Sequence, residues 1–286
     1  MIAGTLPEDE RRRVVFVAVR DCYDDARWAA EVRAEVTRVA GDGKRIALVA
    51  FFKDASSDDV NHFPQWQRVT VKVAGELEAR RIRRVLFEAE NCDASLGVLD
   101  ALVPTAVRQY LKEWSLLAHF SALVQEHAAI EAYKASWRSA PYAPIFSTAD
   151  AVVKTADHVL LIRRNGYPGK GTWAIPGGFV EPGERLLQAA IRELREETQL
   201  GVLPHALIDA LVDVAVFDHP DRSQRGRTIT HAHFFDLKTS QFPAVAGSDD
   251  AAVAKWTPID QLVSMEEEFF EDHFHVLDHF LHVTGA

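Results

Sequence analysis

Three glutamates, Glu193, Glu196 and Glu197, stand at i, i+3 and i+4 within WAIPGGFVEPGERLLQAAIRELREETQL, residues 173–200. At about 100° per residue they share one arc of a helix, about a third of a turn from an apolar face of Leu187, Ala190, Ile191 and Leu194. Like charges at that spacing repel one another and weaken a helix. A divalent cation held by oxygen ligands removes that penalty, and such an ion polarises substrates and activates water. The spacing therefore points to metal-assisted chemistry. The entry supports it: Pro176, Gly177 and Gly178 permit a tight turn, and Pro182 and Glu184 suit a helix start.

The same stretch resembles the Nudix box, G-x5-E-x7-R-E-U-x-E-E-x-G-U with U aliphatic. Gly178, Glu184, Arg192, Glu193, Leu194, Glu196, Glu197 and Leu200 all stand at its spacing, behind a W-x-x-P-G-G lead-in. Gln199 departs from it, occupying the place of the glycine that takes the left-handed turn closing the helix. Gly201 is expected to host a shifted cap, with a longer last helical turn. The resemblance implies a Nudix α/β/α sandwich. It also implies Mg2+ (or Mn2+) held by Glu193, Glu196 and Glu197 with Gly178 in the metal-binding set, and a pair between Glu184 and Arg192. The implied reaction is hydrolysis of a nucleoside diphosphate linked to another moiety, chiefly ADP-ribose to AMP and ribose 5-phosphate. The general base is either Glu197 or an acid between Asp249 and Glu268, and the sequence does not choose.

Phosphate-binding candidates follow from charge. Arg163, Arg164 and Lys170 lie just before the box, and Arg222, Arg225 and Arg227 crowd a turn. Guanidinium groups match phosphate oxygens two at a time, so a tight arginine cluster in an acidic chain marks an anion site. A similar turn occurs in Nudix enzymes of the ADP-ribose group. Phe217 or His219 is placed to stack on adenine, although a core position is the commoner fate of an aromatic. GYPGKGT, residues 166–172, fails the P-loop spacing, with Gly171 where the magnesium-binding hydroxyl belongs. The histidines from His273 to His282 fit no defined zinc spacing.

At 286 residues the chain is long enough for two cores, expected as residues 1–140 and 141–286 with the proline-broken run KASWRSAPYAPI between them. The net charge of −10 argues against a nucleic-acid or anionic-membrane surface. The longest wholly apolar run, residues 46–52, is too short to span a bilayer. Two isolated cysteines fit a reducing cytosol, so a cytoplasmic location is expected.

Periodicity predicts strands at residues 14–19, 45–52, 67–73, two within 147–164, 210–216, 228–237 and 254–256. It predicts helices at 24–40, 76–87, within 94–133, over the box, and at 265–282. In the first half this order suggests a parallel α/β sheet.

That half resembles the later part of a nicotinamide-mononucleotide adenylyltransferase domain as found fused to Nudix domains, through RDCYDDARW, KDASS, FPQW and WRSAPYAPIF. It implies a truncated, Rossmann-like domain. No His-x-Gly-His is present, and the S-x-T-x-x-R loop reads EARRIR at residues 78–83, so adenylyl transfer is not expected. Met1 then falls in mid-domain, through decay or through a start set at an internal methionine. An exposed sheet edge would remain, which a homodimer would cover. The alternatives to a hydrolase are a fragment of a bifunctional adenylyltransferase and a non-catalytic ADP-ribose sensor.

Overall fold

The computed structural model describes residues 1–19, 23–50, 62–71, 79–89, 92–99 and 103–285. Contacts divide the chain into two compact units, Met1–Ala128 and Ala129–Ala286.

The first unit holds helices α1 (Glu8–Arg11), α2 (Asp25–Ala40), α3 (Ala79–Phe87), α4 (Cys92–Val98) and α5 (Thr105–Ser115). It also holds strands β1 (Ala47–Ala50) and β2 (Gln67–Thr70), while helix α6 (Ala118–Ser136) begins in it and ends in the second unit. Helix α2 starts where Asp24 accepts the Arg27 N–H at 2.9 Å and stops at Gly41, whose φ of 81° only glycine adopts freely. Strands β1 and β2 pair in parallel, Ala47 opposite Gln67 and Ala50 opposite Thr70. Leu86, Leu96, Leu99, Val103, Leu111 and Phe120 form the core of this unit. The run 14–19, expected as a buried strand, is not one, and Val14, Val15, Phe16 and Val17 are exposed. An apolar run becomes a strand only where a neighbour accepts its hydrogen bonds, and no described strand pairs with it. The motif KDASS, residues 20–22 of RDCYDDARW, and residues 51–52, 72–73 and 76–78 lie outside the described residues.

The second unit is one mixed sheet between helical layers. Its strands are β3 (Ile145–Thr155), β4 (His158–Arg164), β5 (Trp173–Ala174), β6 (Gly177–Phe179), β7 (Leu211–Phe217), β8 (Arg227–Asp236) and β9 (Ala251–Pro258). Its helices are α7 (Leu186–Thr198), α8 (Pro204–Asp209), a 3-10 segment Ile259–Glu268, and α9 (His273–Leu281). The order runs β5-β4-β3-β8-β7, with β6 added to β3 and β9 to β4. Only β3 and β8 run parallel among these pairs. Alternation sorts the side chains of the central strands. Val152, Val159 and Leu161 pack with Leu262, Phe274, Val276 and Leu277, while Ala151, Val153 and Leu160 pack with Ile191, Leu194 and Leu207. Each fully buried leucine or valine contributes about 1.5–3 kcal/mol. This is the α/β/α sandwich.

Two expectations change. The helix expected over residues 265–282 breaks at 269–272. Phe269 bridges to Trp173, and the Phe270 N–H donates to the Trp173 carbonyl at 2.8 Å. Burying both phenylalanines draws the chain out of helical geometry, and Glu271 takes φ 44°. Nor does the box helix lengthen towards Gly201: Gln199 itself takes the left-handed turn at φ 49°, its N–H donating to Arg195 O at 2.9 Å. A non-glycine residue bears about 1 kcal/mol or more there. Gln199→Gly is therefore expected to raise stability by roughly 0.5–1 kcal/mol, read as a higher urea midpoint with an unchanged slope.

Candidate active site

The lead-in strand β6 lies against β3, with Gly178 opposite Ala149 and Gly177 opposite Asp150. A Cβ on Gly178 would strike the Glu193 carboxylate, and one on Gly177 would meet Asp150. Only glycines let helix α7 approach this strand so closely. Helix α7 begins at Leu186, later than Pro182 and Glu184 suggest, with the Arg185 N–H donating to Gln188 Oε1 at 2.9 Å. Glu184 sits in the preceding turn, accepting the Glu181 N–H at 2.8 Å. It also takes a two-point bond from Arg192, Nη2 to Oε1 at 2.7 Å and Nε to Oε2 at 3.1 Å. That bond holds the Glu184 carboxyl below the usual carboxylate range. Arg192 also donates to Phe179 O at 3.1 Å, tying the helix to its entry loop.

The glutamates share one cavity of about 380 Å³ but differ in exposure. Glu197 is buried, falling on the same helical side as Ala190 and Leu194, and accepts the Gly177 N–H at 2.9 Å. Burial pushes its carboxyl up to about 8. Burial also raises Glu193. Glu196 stays half exposed. Asp150, buried in β3, is raised by desolvation to about 6 and accepts from Thr230 Oγ1 at 2.6 Å.

Among the described residues no three His, Cys, Asp or Glu side chains are arranged to hold a metal. The Arg192 Nη1 lies between Glu193 Oε1, at 2.7 Å, and Glu196 Oε2, at 3.0 Å, and supplies the positive charge there. The donors are nonetheless of the right kind. All are carboxylate oxygens around a glycine-lined turn, and buried Glu197 has no guanidinium bonded to it. By donor type the set suits a hard divalent cation.

A basic part completes the lining: Arg164, Arg222 and Arg225, with Phe179, Phe270 and His273. Phe270 has two guanidinium groups near its ring, Arg164 at 4.3 Å and Arg225 at 5.8 Å, and Arg225 lies 5.2 Å from Phe179. Of the sequence-derived phosphate ligands, Arg164, Arg222 and Arg225 reach the cavity. Arg222, however, forks onto Asp272 with two 2.8 Å bonds, both side chains buried. Arg163 does not line it. Neighbouring strand positions point apart, with a bulge between Arg163 and Arg164, so Arg164 lines the cavity while Arg163 is exposed and donates to Gly171 O at 2.9 Å. Lys170 rests over Tyr167 at 5.7 Å. Arg227 is held by Asp218. Phe217 packs on His279 and Phe280 in the core, the commoner fate of an aromatic.

Of the acids between 249 and 268, Asp249 and Asp250 line the cavity and Glu266, Glu267 and Glu268 do not. Glu271 lies just beyond that window and does line it, raised by burial and bonded by Ser223 Oγ at 2.9 Å. Sequence reasoning missed Asp150, Phe179, Phe270, Glu271 and His273. Only Asp150 carried a signal, a lone charge inside an apolar strand.

Comparison with known proteins agrees with this geometry. The NUDIX domain family model matches residues 145–280. The ADP-ribose pyrophosphatase of Methanocaldococcus jannaschii is 33% identical over 127 residues, covering 43% of this chain and 70% of that protein. The ADPR responsive transcriptional repressor NtrR of Acinetobacter baylyi is 28% identical over 153 residues, covering 51% and 57%. A crystal structure of a bifunctional NMN adenylyltransferase/ADP ribose pyrophosphatase from Francisella tularensis, complexed with AMP and a manganese ion, superposes with a TM-score of 0.84. Its identity is 31%, over 94% of this chain and 78% of that one. The first unit is thus nucleotidyltransferase-like, and no helix among the described residues is long and apolar enough to cross a membrane. With its glycine-backed glutamate helix intact behind that unit, this chain belongs to the Nudix family of diphosphate hydrolases.

Proposed function

We propose that this chain hydrolyses ADP-ribose to AMP and ribose 5-phosphate with Mg2+, or Mn2+. The observation that carries the reading is a cavity combining Glu193, Glu196 and Glu197 with Arg164 and Arg225, in a chain that is 33% identical over 127 residues to an ADP-ribose pyrophosphatase. Glu193, Glu196 and Glu197, beside Gly178, would hold the cation. When bound, it would neutralise the diphosphate and lower the pKa of a bound water below its bulk value of about 15.7. The chain does the rest. Arg192 and Glu184 keep the glutamate helix in register with its entry loop. Arg164 and Arg225 bind phosphate oxygens, and the Phe179 and Phe270 rings keep that part of the lining apolar. Asp249, Asp250 or Glu197 takes the proton from the attacking water.

The full chain is to be incubated with Mg2+ and, in parallel, ADP-ribose, NADH and dinucleoside polyphosphates, and the products separated by chromatography. ADP-ribose should be cleaved at least tenfold faster than the others, to equal amounts of AMP and ribose 5-phosphate. Faster cleavage of another compound overturns the substrate, and cleavage of none overturns the reaction. Tight binding of ADP-ribose without cleavage would instead favour a sensor, a reading supported by the likeness to NtrR.

A further inference from the structure

His273 opens helix α9, and its ring lines the cavity although it is only 8% exposed. The Ile175 N–H donates to its Nδ1 at 3.1 Å. A ring nitrogen that accepts carries no proton, so in the neutral ring the proton sits on Nε2. That nitrogen makes no hydrogen bond among the described residues. Burial, and then the positive charges of Arg222, Arg164 and Arg225, hold the ring's pKa well below the ordinary histidine value. Here is a buried, uncharged donor in a cavity wall, surrounded by three guanidinium groups. One of them, Arg222, forks onto Asp272. The other two lie over the Phe270 ring beside it, Arg164 with its Nε donating to Pro168 O at 3.0 Å and Arg225 with Nη2 3.9 Å from Glu271.

The geometry points to an anion subsite in which His273 Nε2–H, with the guanidinium groups of Arg164 and Arg225, receives a phosphoryl group of the substrate. The assignment rests on the proposed reaction only for the identity of that group. An imidazole with a single N–H suits this task. It presents a donor whose direction is fixed by the Ile175 bond, and it adds no charge to a wall already rich in arginine. The subsite shares the cavity with the glutamates, so a diphosphate can engage both: one phosphoryl group at the carboxylate helix, its neighbour on the arginines and His273.

The test uses the full chain without divalent cation, titrated calorimetrically with AMP and with adenosine, which lacks the phosphoryl group. His273→Asn keeps an oxygen near the place of Nδ1, so the Ile175 bond survives while the donor into the cavity is lost. AMP affinity should fall tenfold or more in the variant, with adenosine affinity and melting temperature unchanged. In wild-type chain carrying 15N-labelled histidine, the Nε2–H signal of His273 should shift with AMP and stay in place with adenosine, a readout that stands if the variant does not fold. Unaltered AMP affinity in a folded variant overturns the subsite, as do equal losses for AMP and adenosine, an Nε2–H signal unmoved by AMP, or no binding of AMP by the wild type. No turnover is involved. A chain that binds AMP through His273 yet leaves ADP-ribose intact overturns the proposed reaction alone.

Discussion

Glu197→Gln lowers the turnover of ADP-ribose on the order of a hundredfold or more, yet makes the cation-free protein more stable above neutral pH. Both effects come from one buried carboxylate. Its pKa is raised from 4.5 to about 8 because burial disfavours the charged form. Between pH 4.5 and 8 the folded chain therefore binds a proton that the unfolded chain has released. Stability is greatest below that window and declines as pH rises through it. At 1.36 kcal/mol per unit, roughly 3–5 kcal/mol is withdrawn by pH 8. Glutamine has no charge to desolvate, so the variant escapes the loss. Melting curves at pH 5 and pH 8, with and without Mg2+, check this. The wild type should lose stability between the two values without the ion and recover it when the ion is added. A wild type with equal melting temperatures at both, or a variant with near-normal turnover, removes Glu197 from the metal set. Glu196→Gln should share the kinetic loss without the thermal gain, since Glu196 is half exposed.

Asp272→Ala should destabilise the second unit by about 3–5 kcal/mol, because Arg222 is left charged and buried without the carboxylate bonded to it. The pair is two-pronged at 2.8 Å on each arm, with both side chains about 3% exposed. It ties the arginine turn after β7 to the segment entering α9, and so places Arg225, Glu271 and His273 around one cavity. A loss of this size is a large fraction of a domain's usual 5–15 kcal/mol. Removing both charges together, as Arg222→Met with Asp272→Leu, should restore most of the stability, since an apolar pair of similar volume has no desolvation cost. It should not restore activity, because the fixed geometry of the turn is gone. Urea unfolding of the single and double variants decides it. A single variant within about 1 kcal/mol of wild type would mean that the pair is not the clamp.

The chemistry was the most legible part of the chain. The spacing of Glu193, Glu196 and Glu197, the Glu184–Arg192 pair and the glycines ahead of the helix are local patterns. The structure places them together with Arg192 bonded twice to Glu184. The strands of the second unit were legible too, because the near-continuous apolar runs along β3 and β4 mirror a sheet covered on both faces. The run at 14–19 was not, since apolar composition cannot say whether a neighbouring strand is there to accept its hydrogen bonds. Arg163 and Arg164 show the same limit. A bulge lies between them, and only the folded strand shows which of the two lines the cavity.

What the sequence determined by itself was a glutamate helix of the Nudix kind and the classes of element around it, because helical and strand periods are written in a few neighbouring residues. The tertiary structure decided that Glu197 is buried while Glu196 is half exposed, that Arg222 serves Asp272, and that Glu271 and His273 line the same cavity. Those outcomes depend on contacts such as Ile175 with His273, 98 residues apart, and Arg222 with Asp272, 50 apart. No local period encodes such pairings, since they arise only when the sheet brings distant loops to one end.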